Sequence, residues 1–472
     1  LAKDNLEQIM PLIYTPIIGT AVKEFSVEFR QSRGLYIAHD EQAHIEEILN
    51  SRLNKDIDII VVTDGEAVLG IGDQGVGAMD IPVAKLMVYT LFGGINHLRT
   101  LPIMLDVGTN NQELLKNPLY LGKRHARING PAYDEFINNF VSAVKKVFPK
   151  TFLHWEDLGP IHAQKILSQY KNKLCTFNDD IQGTGVVTMA AILKGIQLNK
   201  SDLKDQQVIV FGAGNAGTGV AKQVLSAMIM NGMDQETAAK KFWLIDRAGL
   251  ILDHHNNLTP EQAMFAHSSD EVSHWKQHDG CVSFAETLKQ VKPTILIGCS
   301  AQAGAFSQAT ITLMHQHCQH PIILPLSNPT EKAEATPKDI MRWTNGKARI
   351  ATGSPFEPVE WQGQHFEIAQ CNNALAFPGI GLGIMISQAK HLNDDMLWAA
   401  TQALANFQHK RRANARLLPS MGDGDKVAQH IALSVAKAAI DSGASTLSKK
   451  VNLEKLLDEY YWEPHYVPYI KS

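Results

Sequence analysis

Two pairs of adjacent acids stand out, Glu156-Asp157 after the apolar run Thr151–Trp155 and Asp179-Asp180 between Phe177 and Ile181. A solvated charge pair needs no such apolar setting. Carboxylates gathered at strand or loop ends can converge on one hard cation, and Mg²⁺ and Mn²⁺ prefer oxygen donors while keeping positions for water and substrate oxygens. Lys85 is the lone charge within Ile81–Leu91, a segment that is apolar nearly all round. A buried ammonium is costly unless paired. Desolvation and the positive end of its helix lower its pKa and nearby carboxylates raise it, a balance that can make a lysine a general base; a lysine snorkelling to solvent is the other reading. Tyr14 precedes Thr15-Pro16. Proline holds the residue before it extended, which aims the phenol in a fixed direction, although a packed core tyrosine has the same spelling.

A nucleotide site is spelled by Gly212-Ala-Gly214-Asn-Ala-Gly217, which follows the strand-like Gln207–Phe211 and opens an amphipathic helix. Gly212 permits the tight turn, Gly214 lets backbone approach a pyrophosphate, and Gly217 allows close helix–strand packing, with Asn215 and Ala216 between them at the helix N-terminus. A second strand, Phe242–Ile245, ends in Asp246, an acid that can accept both ribose hydroxyls and repel a 2′-phosphate, which favours NAD. Asp246 lies 29 residues after Gly217, so a longer helix is expected between them; Arg247 follows and pulls the other way. Gly70-Ile-Gly72-Asp-Gln-Gly75 repeats the glycine spacing without opening a helix until Asp80, and reads as a loop. Asp80 and Pro82 read as an N-cap acid and a first-turn proline. His315-Gln-His317-Cys318-Gln-His320 has no second group at zinc spacing and reads as the exposed end of a helix.

These groups need elements to hold them. Short apolar runs alternate with amphipathic ones, the pattern of α/β units with parallel sheets. Strands are expected at Ile57–Thr63, Leu101–Asp106, Gln207–Phe211, Phe242–Asp246, Thr294–Gly298 and Pro321–Pro325, and helices at Ile81–Leu91, Tyr133–Val147, Gly183–Ile196, Gly217–Asn231 and Asp395–Asn406. The chain of 472 residues is 44% hydrophobic and 19% charged, with a net charge of −4. That is globular usage without the basic excess that nucleic acid or an anionic membrane would call for. No run of eighteen apolar residues occurs, so no membrane helix is expected. Five scattered cysteines without a CxxC fit a reducing compartment and a cytoplasmic location. The expected organisation is a helical segment 1–32, an α/β catalytic domain 33–178 to which 373–440 return, a nucleotide-binding domain 179–372, and a tail 441–472 ending in Tyr460-Tyr461-Trp462.

With these residues assembled, the chain resembles the malic enzymes of the large NAD-linked type. The shared strings are Tyr14-Thr-Pro16, Arg33-Gly-Leu35, Val62-Thr-Asp-Gly-Glu66, Leu105-Asp-Val-Gly-Thr-Asn-Asn111, Pro118-Leu-Tyr120, Glu156-Asp157, Phe177-Asn-Asp-Asp-Ile-Gln-Gly-Thr184, Ser327-Asn-Pro-Thr330, Asn372-Asn373 and Phe377-Pro-Gly379. They run in family order across nearly the whole chain. The resemblance implies two Rossmann-like parallel-sheet domains flanking an active-site cleft, with short helical terminal segments. It implies oxidative decarboxylation of L-malate to pyruvate and CO2 with NAD and Mg²⁺ or Mn²⁺, in a homodimer or homotetramer. Glu156, Asp157 and Asp180 match the metal ligands, Lys85 the general base, Asp179 its carboxylate partner, and Tyr14 the acid that protonates the enol carbon. Asn328 and Asn373 match residues near substrate and nicotinamide.

Three features depart from the family pattern. Ala67 stands where members carry an arginine that clamps a substrate carboxylate, the usual Phe-Glu-Asp-Phe reads Trp155-Glu-Asp-Leu158, and most of the helical segment that precedes Tyr14 in the family is absent. Malolactic enzymes, relatives that convert malate to lactate and CO2 with NAD retained, also lack the arginine. Met79-Asp80, Tyr120-Leu-Gly122 with Arg124-His125, and Gly183-Thr-Gly185 resemble their spelling. Thr352-Gly-Ser-Pro-Phe356, Ala369-Gln-Cys-Asn-Asn373 and Tyr14-Thr-Pro16 resemble malic enzyme.

Overall fold

The computed structural model describes residues 2–27, 33–52, 54–68, 70–407 and 416–465. The chain divides into two compact units. The first comprises 1–179, 374–400 and 421–472, and the second 180–373 and 401–420. Residues 401–407 and 416–420 thus pack with the second unit rather than returning with 374–400 and 421–440, and the described parts of the terminal segments, 2–27 and 441–465, pack as part of the first.

In the first unit five parallel strands, β1 (Leu35–Ala38), β2 (Ile59–Thr63), β3 (Thr100–Asp106), β4 (Phe152–Trp155) and β5 (Thr176–Asn178), lie in the order β1-β3-β2-β4-β5. Strands β2 to β5 are buried throughout, as near-continuous Ile/Val/Leu runs in a parallel sheet covered on both faces should be. From β2 the chain crosses first to β3 on one side and then to β4 on the other. The carboxyl ends of β2 and β4 therefore flank the point where the winding reverses, the place at which open α/β sheets bind ligands. Asp64-Gly-Glu66 follow β2, Glu156-Asp157 follow β4, and Asp179 follows β5. The acids sit there because each strand ends in them.

The helix Asp80–Gly93 runs from a 3₁₀ turn, Gly75–Met79, into the core. Met79, not Asp80, is its cap: the preceding turn already coils into the helix, so no extended residue is left to cap it, and Asp80 is the first helical residue. The stretch Gly75–Gly93 is long and apolar enough to cross a membrane by length and composition, but 72% of it is buried inside the protein, where it serves as a core helix. Two further core helices, Phe377–Ser387 and Gly424–Asp441, were not foreseen. A Cβ at Gly379 or Gly383 would meet Ile431 or Val435 at 2.6 and 2.7 Å, so these glycines let the two helices touch. The aromatic tail is tied down: Tyr460 donates its hydroxyl to Asp58, and the Trp462 N–H donates to Gly94 O at 2.7 Å.

The second unit holds a seven-stranded sheet of β6 (Val208–Phe211), β7 (Phe242–Asp246), β8 (Gly249–Leu250), β9 (Ile295–Gly298), β10 (Ile322–Pro325), β11 (Arg349–Thr352) and β12 (Ala369–Gln370). Its order is β12-β11-β10-β9-β6-β7-β8, parallel except for the β7–β8 edge. This is a doubly wound sheet whose winding reverses between β6 and β9.

Candidate active site

Lys85 is 2% exposed, and its ammonium donates to Asp179 Oδ2 and lies 2.9 Å from Glu156 Oε1. Burial alone pulls the ammonium down, but the Asp179 and Glu156 carboxylates outweigh it and hold Lys85 well above the ordinary lysine value. The snorkelling reading therefore does not describe this lysine. Burial pushes the Glu156 carboxyl up to about 7, against the pull of Lys85. Tyr14, at the end of the helix Leu6–Ile13, is 6% exposed with its ring centre 5.4 Å from Lys85 Nζ, and burial raises its phenol well above the usual range. Phe377 closes the other side, 4.8 Å from the same nitrogen. The structure thus brings Tyr14, Lys85, Asp179 and Glu156, from four separate stretches of chain, to one point in the first unit.

Asp157 is 2% exposed and held at φ 51°, a left-handed conformation uncommon outside glycine and reached more readily by Asp than by most residues. Its carbonyl accepts the Ala67 N–H at 3.0 Å. Three buried acids, Glu156, Asp157 and Asp179, share the neighbourhood with one buried cation, Lys85. That excess of buried negative charge on hard oxygen donors suits a divalent metal. Asp180 begins the second unit, in the π-helical turn Asp179–Gly183.

Sequence reasoning missed His154. It is fully buried, with Nε2 2.8 Å from Glu156 Oε2 and Nδ1 2.9 Å from the Tyr89 hydroxyl. Burial lowers its pKa to about 3, so the ring is neutral. The one available signal was their spacing: two residues apart in extended backbone, His154 in β4 and Glu156 just past it fall on one face. A second missed network surrounds Arg127, whose Nε and Nη2 pair with Asp73 at 2.8 and 2.7 Å and whose Nη2 also donates to Asp64 O at 2.9 Å. Arg124 donates to the carbonyls of Pro118 and Tyr120. Trp155 is a core residue donating to Thr176 Oγ1 at 2.8 Å, and Leu158 is buried.

In the second unit the glycine loop takes the form its spelling requires. Gly212 has φ 103°, and a Cβ there would sit 2.5 Å from Cys299 backbone; a Cβ on Gly217 would sit 2.0 Å from Gly212 O. Nothing lies within 4 Å of a Cβ on Gly214, which leaves the loop open at the start of the helix Asn215–Met230, whose first turn includes Ala216. Asp246 ends β7 exposed, and Gln262 bridges it to the loop, donating to Ala213 O at 2.9 Å and Asp246 Oδ2 at 3.3 Å. The long gap before Asp246 is filled by a second short helix, Gln235–Ala239, instead of a longer first one. Asn328 follows β10 and accepts the Ser354 hydroxyl; Asn373 donates to Thr184 Oγ1 at 3.1 Å. The Gly70–Gly75 loop is a tight turn closed by a Val68–Gly72 bridge, and the His315 string ends the helix Gln308–His317. Among the described residues no metal-capable group of three includes that string.

Comparison with known proteins adds to this geometry. Residues 1–171 match the family model described as malic enzyme, N-terminal domain, and residues 181–440 the one described as malic enzyme, NAD binding domain. The NAD-dependent malic enzymes of Shewanella sp. (strain MR-4) and Proteus mirabilis are each 44% identical over 473 aligned residues, covering 100% of this chain and 84% of theirs. Among solved structures, the malic enzyme of Entamoeba histolytica aligns over 97% of this chain and 87% of its own with a TM-score of 0.67 at 21% identity. That of Pyrococcus horikoshii Ot3 aligns over 96% and 88% with a TM-score of 0.63 at 20% identity, and both likenesses speak to the fold.

Proposed function

The chain belongs to the malic enzyme family, and from that premise we propose that it converts L-malate to pyruvate and CO2 while reducing NAD. The observation that carries the chemistry is the buried contact of Lys85 with Glu156 and Asp179 beside Tyr14. A general base on the C2 hydroxyl must be shielded from water and tied to groups that set its charge, and Lys85 is both. NAD, which the glycine loop Gly212–Gly217 and Asp246 would hold, would supply the hydride acceptor for C2. Bound Mg²⁺ or Mn²⁺ supplies Lewis-acid polarisation of substrate oxygens, with Glu156, Asp157 and Asp180 as the residues that would hold it.

In this reading Lys85 takes the hydroxyl proton and Asp179 keeps its amine in place. Lys85 can act as base only from its neutral form, and the Asp179 and Glu156 carboxylates that hold it protonated are the groups that set when it gives up that proton. Loss of the C4 carboxylate as CO2 leaves an enolate, and Tyr14 returns a proton to C3. Its raised pKa keeps the phenol protonated until that step. Gly212, Gly214, Asn215, Ala216, Gly217 and Asp246 are proposed to bind NAD, and Asn328 and Asn373 to contact substrate and nicotinamide. We place the enzyme in the cytoplasm, in keeping with five free cysteines, and as a homodimer or homotetramer.

The test is a product assay with L-malate, Mn²⁺ and NAD. NADH and pyruvate formed in equal amounts support the reading. Lactate formed without NADH assigns the chain to the malolactic reaction, the outcome that Ala67 keeps in view.

A further inference from the structure

His154 lies outside the proposed metal ligand set and the proton-transfer steps, yet it touches the residue that joins them. The Glu156 N–H donates to Val62 O at 3.0 Å, which carries the extended backbone one residue past β4 and puts Glu156 on the same face as His154, and the imidazole spans the space between Glu156 Oε2 and the Tyr89 hydroxyl at 2.8 and 2.9 Å. Phe177 and Phe377 stand edge-on to the ring at 5.3 and 5.8 Å, which keeps it from turning away. Tyr89 sits one helical turn after Lys85, whose ammonium reaches the other Glu156 oxygen at 2.9 Å. The contacts form a closed circuit from Lys85 through Glu156, His154 and Tyr89 back to the Lys85 helix. In the ionised form that a metal ligand must take, Glu156 only accepts, so Nε2 carries the hydrogen, Nδ1 accepts, and the tyrosine hydroxyl donates to it.

We propose that His154 is a positioning residue for the divalent metal, fixing the carboxylate plane of Glu156 through Oε2 so that this ligand is preset before the cation arrives. The inference rests on the reading of Glu156 as a ligand. Imidazoles and carboxylates that orient metal ligands raise affinity by about 10- to 100-fold. His154 also stands within ligand distance of Glu156 and Asp179, but both ring nitrogens are engaged, so binding a metal itself would break its contact with Glu156 or with Tyr89.

The experiment measures Mn²⁺ binding to the whole chain by electron paramagnetic resonance of the free ion, without malate or NAD. His154→Phe should raise the Mn²⁺ Kd by about 10- to 100-fold. His154→Gln, whose side-chain amide can still donate to Glu156, should bind close to wild type, and Tyr89→Phe, which frees the tautomer, should fall between. Glu156→Gln separates the two readings. If it loses binding while His154→Phe binds like wild type, the positioning role is overturned and the ligand assignment stands; if Glu156→Gln also binds like wild type, the ligand assignment itself fails. His154→Gln losing as much as Glu156→Gln would make His154 a direct ligand and overturn positioning. Should His154→Phe not fold, Tyr89→Phe decides, and an unchanged Kd there overturns the proposal.

Discussion

The Ala67 N–H donates to the carbonyl of Asp157 at 3.0 Å, which places the missing arginine position directly beside a proposed metal ligand. Ala67 is half-buried, on the loop that follows β2. Any side chain there projects from backbone already docked on the acidic segment. Ala67→Arg restores a planar donor pair for a substrate carboxylate, and a hydrogen bond to a charged group contributes about 1.5–3 kcal/mol. The expected result is a fall in KM for L-malate of about tenfold or more, with a smaller change in kcat. Steady-state kinetics at saturating Mn²⁺ and NAD measure it, and an unchanged KM would mean that the carboxylate is held elsewhere.

Lys85→Ala removes the proposed base and leaves the glycine loop of the second unit untouched. Turnover should drop by about 10²- to 10⁴-fold, the range general base catalysis supplies, while the NAD Kd measured by calorimetry stays at the wild-type value. Wild-type turnover in this variant would remove Lys85 from the mechanism.

Asp180→Asn keeps the shape of the side chain and removes its charge. Mn²⁺-dependent turnover should disappear, and titration with Mn²⁺ up to millimolar levels should not restore it. A Mn²⁺ activation curve that overlays the wild type would remove Asp180 from the ligand set.

What the sequence made legible was local. The run Val208–Phe211 with Gly212 and Gly217 is strand, turn and helix by composition, and the structure has it within two residues. Glu156, Asp179 and Lys85 could each be singled out because a charge in an apolar run is conspicuous. The acids could be read as converging on one cation, but that Lys85 meets them was legible only through the family resemblance, since it depends on the order in which β2, β4 and β5 pair. The helices Phe377–Ser387 and Gly424–Asp441 escaped for a related reason. The first is apolar on every side, so it shows no helical period, and its glycines read as breakers until a partner helix is known to need them. His154 escaped because its two-residue spacing from Glu156 puts both on one face without showing that the side chains meet.

Cys175 is buried just before β5, and desolvation pushes its thiol up to about 12 from an ordinary 9.0. A folded-state pKa raised in this way gives stability that is complete below the unfolded value and is lost as pH rises toward the folded one. Between pH 9 and 12 the unfolded thiol ionises and the native one does not, so this residue lowers unfolding free energy by about 1.4 kcal/mol per pH unit. Cys175→Ala should be slightly less stable at pH 8, where it lacks only packing, and should gain on the wild type steadily above pH 9. Urea unfolding at pH 8, 9.5 and 10.5 measures the difference, and parallel pH profiles for the two proteins would contradict a buried neutral thiol.

Arg127 is the structural counterpart of Lys85: a cation whose side chain is 1% exposed, clamped on Asp73 and 3.6 Å from Asp64 Oδ1. Asp64 is itself 1% exposed, and burial pushes its carboxyl above the ordinary range while Arg127 and the Tyr133 hydroxyl, 2.7 Å away, oppose the rise. Arg127→Met leaves that carboxylate unpaired, which costs about 3–5 kcal/mol when the site is dry. A further rise in the Asp64 pKa follows, and a raised acid is favourable below its unfolded value near 3.8 and unfavourable as pH climbs through the folded one. The deficit of Arg127→Met should therefore be full at pH 7 and shrink as pH falls toward 4. Adding Asp64→Asn should restore much of the loss at pH 7, because the neutral amide can still accept from Tyr133. Denaturant unfolding of the two single variants and the double variant at both pH values gives the coupling energy. Additive losses would show that the arginine is held for its contacts with Asp73 alone.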